Sequence, residues 1–231
     1  DFCAAREEPI PFFGELGSVN PMFLLPHAIA NRGGEISSGW VGSLTMGAGQ
    51  FCTNPGIAIL IDGADAANFI NDVTTLLSKV DSQMMLTDGI SKAYRVGCER
   101  MSSFGAVGQL KNASEINRTA LPQLFVTTGK TWLTNFELTE EVFGPSGLVV
   151  KALDFSEMME IATKLTGQLT CTLHMDDSDQ NEAKKLLPIL ERKAGRILAN
   201  GFSTGVEVCE SMVHGGPFPA STNFGATSVG T

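Results

Sequence analysis

The chain reads as an α/β protein, a mostly parallel, Rossmann-like sheet flanked by helices. Three observations predict this: short apolar runs recur along the middle of the chain, segments with helical spacing separate them, and Gly or Asp marks each change of period. With 231 residues, 43% of them hydrophobic and 18% charged, it can bury a sizeable core and shows no disorder signature.

Residues 56–61 (Gly-Ile-Ala-Ile-Leu-Ile) form an unbroken apolar run ended by Asp62-Gly63, the pattern of a strand buried on both faces. Residues 64–80 place Phe69, Ile70, Val73, Leu76, Leu77 and Val80 at helical spacing. A second strand over 121–126 is closed by Thr127-Thr128-Gly129, and a third covers 146–152. Residues 154–165 predict a helix with Met158, Ile161 and Leu165 on one face. A fourth strand runs over 169–174, a helix from about 180 to 192, and a fifth strand over 196–200. His27 falls in a helix and His174 in a strand. After Gly201 the composition turns to Gly, Pro, Ser and Thr (Gly215-Gly216-Pro217-Phe218-Pro219-Ala220-Ser221-Thr222), which predicts a long loop of the kind that carries function.

Several function classes are disfavoured. A net charge of −9 argues against nucleic acid as the main partner, because phosphate binding needs a basic face. No apolar stretch reaches membrane-spanning length, and the first residues lack the basic and apolar regions of a signal peptide. The cysteines (3, 52, 98, 171 and 209) are scattered without a CxxC pair, so neither a metal site nor a disulfide framework is expected. A reducing, cytoplasmic setting follows as the expectation. The sequons at Asn112 and Asn117 are short enough to arise by chance. The chain opens without Met, as a piece of something larger would, and holds neither G-x-G-x-x-G nor a P-loop. Any nucleotide is therefore expected to find its main site outside it.

The candidate nucleophile is Cys52, in Met46-Gly47-Ala48-Gly49-Gln50-Phe51-Cys52-Thr53-Asn54-Pro55-Gly56. Small turn-forming residues on both sides let backbone approach a substrate closely, and a thiolate there can attack a carbonyl. The same residue could be a small buried hydrophobe. A thiolate serves proteases, amidases, acyl transferases and aldehyde oxidoreductases alike. A Cys–His hydrolase needs a base, and none of His27, His174 and His214 is marked as one by its surroundings. Glu15 lies between an apolar run and a Gly-containing turn, where a carboxyl can act as a base. Glu141 lies beside Phe143 before Gly144-Pro145, and either carboxylate alone could equally cap a helix or edge a strand.

Together, Glu15-Leu16-Gly17 with Pro21, Gly49-Gln50-Phe51-Cys52 and Glu141-Val142-Phe143-Gly144-Pro145 resemble the aldehyde dehydrogenase superfamily in order and separation, across essentially the whole chain. Within it, residues 14–21, 50–56 and 214–220 look like the α-ketoglutaric semialdehyde (2,5-dioxovalerate) branch, and the NADP-linked fatty aldehyde branch is similar in the same places.

The resemblance implies the catalytic domain of an NAD- or NADP-dependent enzyme, in which Cys52 forms a thiohemiacetal and then a thioester with the aldehyde. Glu15 activates the hydrolytic water, Glu141 holds the nicotinamide ribose, Phe143 packs beside the nicotinamide, and the Leu16 backbone positions its carboxamide. The Cys52 N–H meets the oxyanion, and the family's second donor, an Asn, belongs to a segment absent here. Phe51, Thr53 and Ser203 line the substrate pocket. No Arg lies near these motifs to receive a substrate carboxylate, so Ser203 and Thr204 are the candidates within the chain. The resemblance also implies a link from a preceding cofactor domain (1–17), a catalytic domain (18–210), a loop returning toward the cofactor domain (211–231), and a homodimer or homotetramer of the full enzyme. A cofactor-independent Cys hydrolase and a non-catalytic assembly domain stand as the readings from other classes.

Overall fold

A computed structural model describes residues 2–104, 107–108 (backbone only), 118–205 and 209–225. Both sequons fall, wholly or in part, outside these residues. The main sheet is built on β1 (Met22–Leu24), which pairs in parallel with β2 (Ile57–Ile61) on one side and β8 (Gln168–His174) on the other. Beyond β2 lie β7 (Ser146–Ala152), β6 (Gln123–Thr128) and a short antiparallel edge strand, β4 (Val107–Gly108); beyond β8 lies β9 (Ala194–Ala199). The order β4-β6-β7-β2-β1-β8-β9 is parallel throughout except at β4. A separate antiparallel pair joins β3 (Gln83–Met84) to β5 (Thr119–Ala120).

The alternation of the strands divides the core in two. Met22, Leu24, Ala58 and Leu60 face α1 (Pro26–Thr45) and α2 (Ala64–Leu77), meeting Trp40 and Phe69. Phe23, Ile57, Ile59, Val150 and Cys171 face the other way, toward α3 (Asp88–Ser102), α4 (Gly129–Thr134), α5 (Phe155–Lys164) and α6 (Gln180–Leu190). Helices on both faces explain why the strands read as continuous apolar runs. Among the described residues no helix is long and apolar enough to cross a membrane.

The predicted strands and helices are present, with shifted ends. The second strand runs to Thr128, because Val126, Thr127 and Thr128 continue the ladder against Val149, Val150 and Lys151. Thr128 then caps α4 by accepting from the Thr131 N–H. The last strand starts at Ala194 and stops before Asn200, which takes a left-handed φ of 54°. Two elements next to the site, β1 and α1, give almost no local signal. Three residues are too few to show a period, and α1 starts at Leu25 without a side-chain cap of its own. Its cap is tertiary: buried Asp179 accepts the His27 and Ala28 N–H groups at 2.9 Å each.

Candidate active site

The candidate residues gather at the amino-terminal edge of the parallel sheet. Glu15 precedes β1, Cys52 precedes β2 and Glu141 precedes β7. The loop after β9 returns to the same edge. A Cβ on Gly195 would sit 1.9 Å from the Gly215 carbonyl oxygen, so this close approach requires glycine and brings His214 to the start of β9. Open α/β sheets ordinarily bind ligands at the opposite, carboxyl edge.

The nucleophile turn is held from several sides. After α1 the chain makes one 3-10 turn (Met46–Gly49), in which Gly49 has φ 64° and its missing Cβ leaves room for the backbone of Gly144. Asn54 Nδ2 donates to the Gly144 carbonyl at 3.1 Å, tying the Cys52 turn to the Glu141 segment. Trp40 Nε1 donates to the Pro55 carbonyl at 2.8 Å while its ring stacks on Phe69. Asn20, fully buried, donates through Nδ2 to the carbonyls of Cys52 and Asn54, both at 2.9 Å. Its Oδ1 accepts from Ser18 Oγ and Thr170 Oγ1, and Gln168 Oε1 accepts the N–H groups of Val19 and Asn20. A satisfied buried network of this kind fixes backbone position.

Glu15 and His214 arrive on paired extended segments. Leu16 N–H donates to the Ala220 carbonyl, Thr222 N–H donates to the Gly14 carbonyl, and Gly14 N–H donates to Thr222 Oγ1. The result is a three-residue cluster: His214 Nε2 lies 3.3 Å from Cys52 Sγ and 2.7 Å from Glu15 Oε2. One nitrogen thus stands against both the sulfur and the carboxylate, and it can accept the thiol proton only in the tautomer that leaves Nε2 without its own. The His214 side chain is 1% exposed and that of Glu15 21%. Burial, with the Glu15 charge and a side-chain hydrogen bond to Glu15 adding to it, pushes the Cys52 thiol up to about 11, while the N–H groups of Thr53 and Cys52 pull the other way. The resting sulfur is therefore a thiol.

The second carboxylate sits close by. Burial raises Glu141 to about 7, with the Glu15 charge a smaller contribution, although the Ser18 N–H bonds to it and lowers it. It lines a cavity of about 290 Å3 together with Leu16, Gly17, Ser18 and Gln168, and a smaller one that Phe143 also lines. A half-buried acceptor at the wall of an open groove fits the hydroxyls of a sugar. The residues present are thus compatible with the ribose end of a dinucleotide.

Cys52 and Glu15 are brought together, and Glu141, Leu16 and Phe143 lie beside them. The Leu16 N–H is engaged by Ala220, which leaves only its carbonyl for a ligand. Phe51 is half-buried next to the nucleophile. Thr53 and Ser203 do not face a pocket: both are buried, and Ser203 Oγ donates to the Thr53 carbonyl at 2.7 Å. Thr204 Oγ1 is engaged with Ser43. The hydroxyls of Ser203, Thr204 and Ser43 fasten the post-β9 loop to α1 and the Cys52 turn. His174 is a core residue and His27 an exposed one on α1.

The structure adds two residues. His214 carries no local mark of a base, since only the tertiary return of its loop places it on Cys52. Arg196 corrects the expectation that no Arg lies near. It pairs with Thr170 in the β8–β9 register, on the sheet face that carries Asn20 and the Cys52 turn. Its Nε is buried without a hydrogen-bond partner, and burial lowers it while the Cys52 charge raises it.

No family model matches the sequence. The chain is 46% identical over 228 residues to α-ketoglutaric semialdehyde dehydrogenase 2 of Azospirillum brasilense, covering 98% of this chain and 43% of that protein. It is 42% identical over 230 residues to α-ketoglutaric semialdehyde dehydrogenase of Acinetobacter baylyi, covering 98% of this chain and 44% of that one. The chain thus spans less than half the length of these curated relatives. Among solved structures, it is similar to an NADP-dependent glyceraldehyde-3-phosphate dehydrogenase from Bacillus halodurans complexed with NADP. There the TM-score is 0.73 and the identity 16%, over 94% of this chain and 44% of that one. It is also similar to aldehyde dehydrogenase 21 from Physcomitrella patens in complex with its reaction product succinate. There the TM-score is 0.69 and the identity 16%, over 87% of this chain and 41% of that one. At such identities the structural likeness shows the fold.

Proposed function

The chain is a relative of the α-ketoglutaric semialdehyde dehydrogenases and has the fold of aldehyde dehydrogenases, and we propose that it is the catalytic portion of an NAD- or NADP-dependent aldehyde dehydrogenase. The observation that carries this reading is the convergence of Cys52, His214 and Glu15 beside a cavity lined by Glu141. The substrate proposed is a keto-acid semialdehyde, α-ketoglutaric semialdehyde first, and the product is the carboxylic acid.

In this reading His214 Nε2 takes the Cys52 proton as the sulfur attacks the aldehyde carbon. The proton transfer is needed because burial holds the thiol well above neutrality. The Cys52 N–H, fixed by Asn20 on the neighbouring carbonyl, receives the developing oxyanion; a donor of this kind contributes about 3 kcal/mol. When bound, the nicotinamide supplies the hydride acceptor. Glu141 would accept from its ribose hydroxyls, Phe143 would pack beside it and the Leu16 carbonyl would be free to accept from its carboxamide. The thioester then on Cys52 is hydrolysed by water that Glu15 deprotonates, and the sulfur leaves as thiolate to be reprotonated through His214. Arg196, near enough to Cys52 to feel its charge, receives the substrate's own carboxylate.

A fatty aldehyde would find no use for that cation, which favours the keto-acid over the long-chain alternative. A Cys–His hydrolase also gains support from the 3.3 Å contact of Cys52 with His214. It differs in needing no dinucleotide. The proposal extends to a cytoplasmic setting and to a homodimer or homotetramer of the whole protein. Residues 1–17 then link from a cofactor domain, 18–210 form the catalytic domain, and 211–231 return toward the cofactor domain.

The test is a kinetic panel on the full-length protein with α-ketoglutaric semialdehyde, succinic semialdehyde and a long-chain aldehyde, each with NAD and NADP. The reading expects cofactor reduction, fastest with the keto-acid semialdehyde. Arg196→Leu is expected to raise KM for that substrate about 10- to 100-fold and leave the long-chain aldehyde unchanged. Ester or amide hydrolysis without any dinucleotide, and no cofactor reduction, would favour the hydrolase.

A further inference from the structure

We propose that Cys52, His214 and Glu15 form a binding site for a thiophilic divalent cation, Zn2+ first, and that occupation of it switches the enzyme off. One ligand atom from each residue lies within 4.8 Å of the other two. The absence of a CxxC pair argued against a metal site in the sequence, but here the ligands come from three distant segments, so no spacing could reveal them.

The donor set selects the ion. A thiolate, an imidazole nitrogen and a single carboxylate oxygen suit zinc and its neighbours, whereas calcium and magnesium require six or more oxygens. Charge agrees as well: the thiolate and carboxylate together carry two negative charges, which a divalent cation cancels. Tetrahedral zinc with bonds of about 2.0–2.3 Å sets S···N near about 3.5 Å and N···O near about 3.3 Å. The present separations of 3.3 Å and 2.7 Å are hydrogen-bond lengths, so the ion fits after an opening of about 0.2 Å at the sulfur and about 0.6 Å at the carboxylate.

Two of the three ligands are already anchored. Asn20 holds the Cys52 carbonyl, and Ser221 Oγ accepts from the Gly216 N–H two residues beyond His214. Glu15, far more exposed than His214, supplies the adjustment through its side chain. Three protein ligands leave the fourth tetrahedral position to water.

Binding replaces the thiol proton, which leaves to solvent, with a sulfur–metal bond. The metal then holds the lone pair that attacks the aldehyde and the nitrogen that accepts the proton. Occupancy follows from the three ligands alone, whereas the loss of activity rests on the dehydrogenase reading.

The experiment titrates the full-length protein with Co2+, which reports a thiolate ligand through a charge-transfer band in the near ultraviolet, and then displaces it with Zn2+. The expected result is one Co2+ per chain, with the band absent in Cys52→Ser and the affinity about 10- to 100-fold weaker in His214→Asn and Glu15→Gln. Aldehyde-dependent turnover is expected to fall at least tenfold in step with zinc occupancy and to return on adding EDTA. Wild-type protein carbamidomethylated at Cys52 serves as a second control that needs no variant to fold, and it too is expected to lack the band. No band in the wild type, or an equal band and affinity in Cys52→Ser or in the blocked protein, would overturn the site. Binding with the expected variant pattern in a protein that oxidises no aldehyde supports the metal site and refutes the dehydrogenase reading instead.

Discussion

The two edges of the parallel sheet handle polar groups in opposite ways. At the carboxyl edge most of the described charges are matched, although His174, the last residue of β8, is buried and lowered to about 4. Arg32 bonds Asp176 at 2.8 Å, Lys151 bonds Asp62, Asn200 bonds Arg32 and the Met175 backbone, and Asp179 accepts three backbone N–H groups. Asn31 and Arg32 together hold the Asp176 carboxyl below its ordinary value. At the amino edge, by contrast, Cys52 is pushed up to about 11 and Glu141 to about 7, and Arg196 keeps a buried Nε without a partner. Strongly shifted, incompletely matched groups gathered at one place mark a functional site, while the matched edge serves stability.

The comparison breaks most readily at Cys52. Cys52→Ser is expected to lower turnover by about 10^4 or more while leaving stability within about 0.5 kcal/mol, checked by steady-state kinetics and denaturant melts. Glu15→Gln is expected to cost about 10^2 to 10^4 in kcat, as a lost general base does, with burst kinetics showing that the thioester still forms. A substitution at the opposite edge should invert the pattern. Asp179→Ala removes the acceptor of the His27, Ala28 and Asp176 N–H groups and should destabilise by about 2–3 kcal/mol, with activity per folded molecule unchanged.

The smallest effects are in pH dependence, and they have opposite signs at the two edges. Burial raises Glu141 from 4.5 to about 7, so its contribution is fully present below 4.5 and is lost as pH rises through about 7. Glu141→Gln is therefore expected to raise the Tm at pH 8 relative to the wild type and to narrow the difference at pH 5. His174, the last residue of β8, is lowered from 6.5 to about 4 by burial, with Arg32 adding. Its neutral form is the stable one, so stability is present above 6.5 and is lost as pH falls toward 4. His174→Leu should flatten that acid limb in a pH series of thermal melts.

Much of the sheet was legible because strands buried on both faces announce themselves as apolar runs, and 146–152 matches β7 residue for residue. What escaped were β1 and the extent of α1, of which only the helical setting of His27 was read: β1 is three residues in the sheet centre, and α1 is capped by Asp179 from far along the chain. The site divides in the same way. Cys52 stands out locally through its glycine frame, and Glu15 and Glu141 through their motifs. His214 and Arg196 become meaningful only when the last loop returns across the starts of β8 and β9. Ser203 and Thr53 looked like pocket residues from their chemistry and proximity in sequence, but their mutual hydrogen bond keeps them in the interior.

The proposal that unites these observations is that His214 takes the proton from a buried Cys52 thiol. The most direct measurement is the rate of Cys52 alkylation by iodoacetamide at neutral pH in the full-length protein and in His214→Gln, read by peptide mass spectrometry so that the other cysteines do not interfere. The account predicts that Cys52 reacts at least tenfold more slowly in the variant. Equal rates in the two proteins would contradict it.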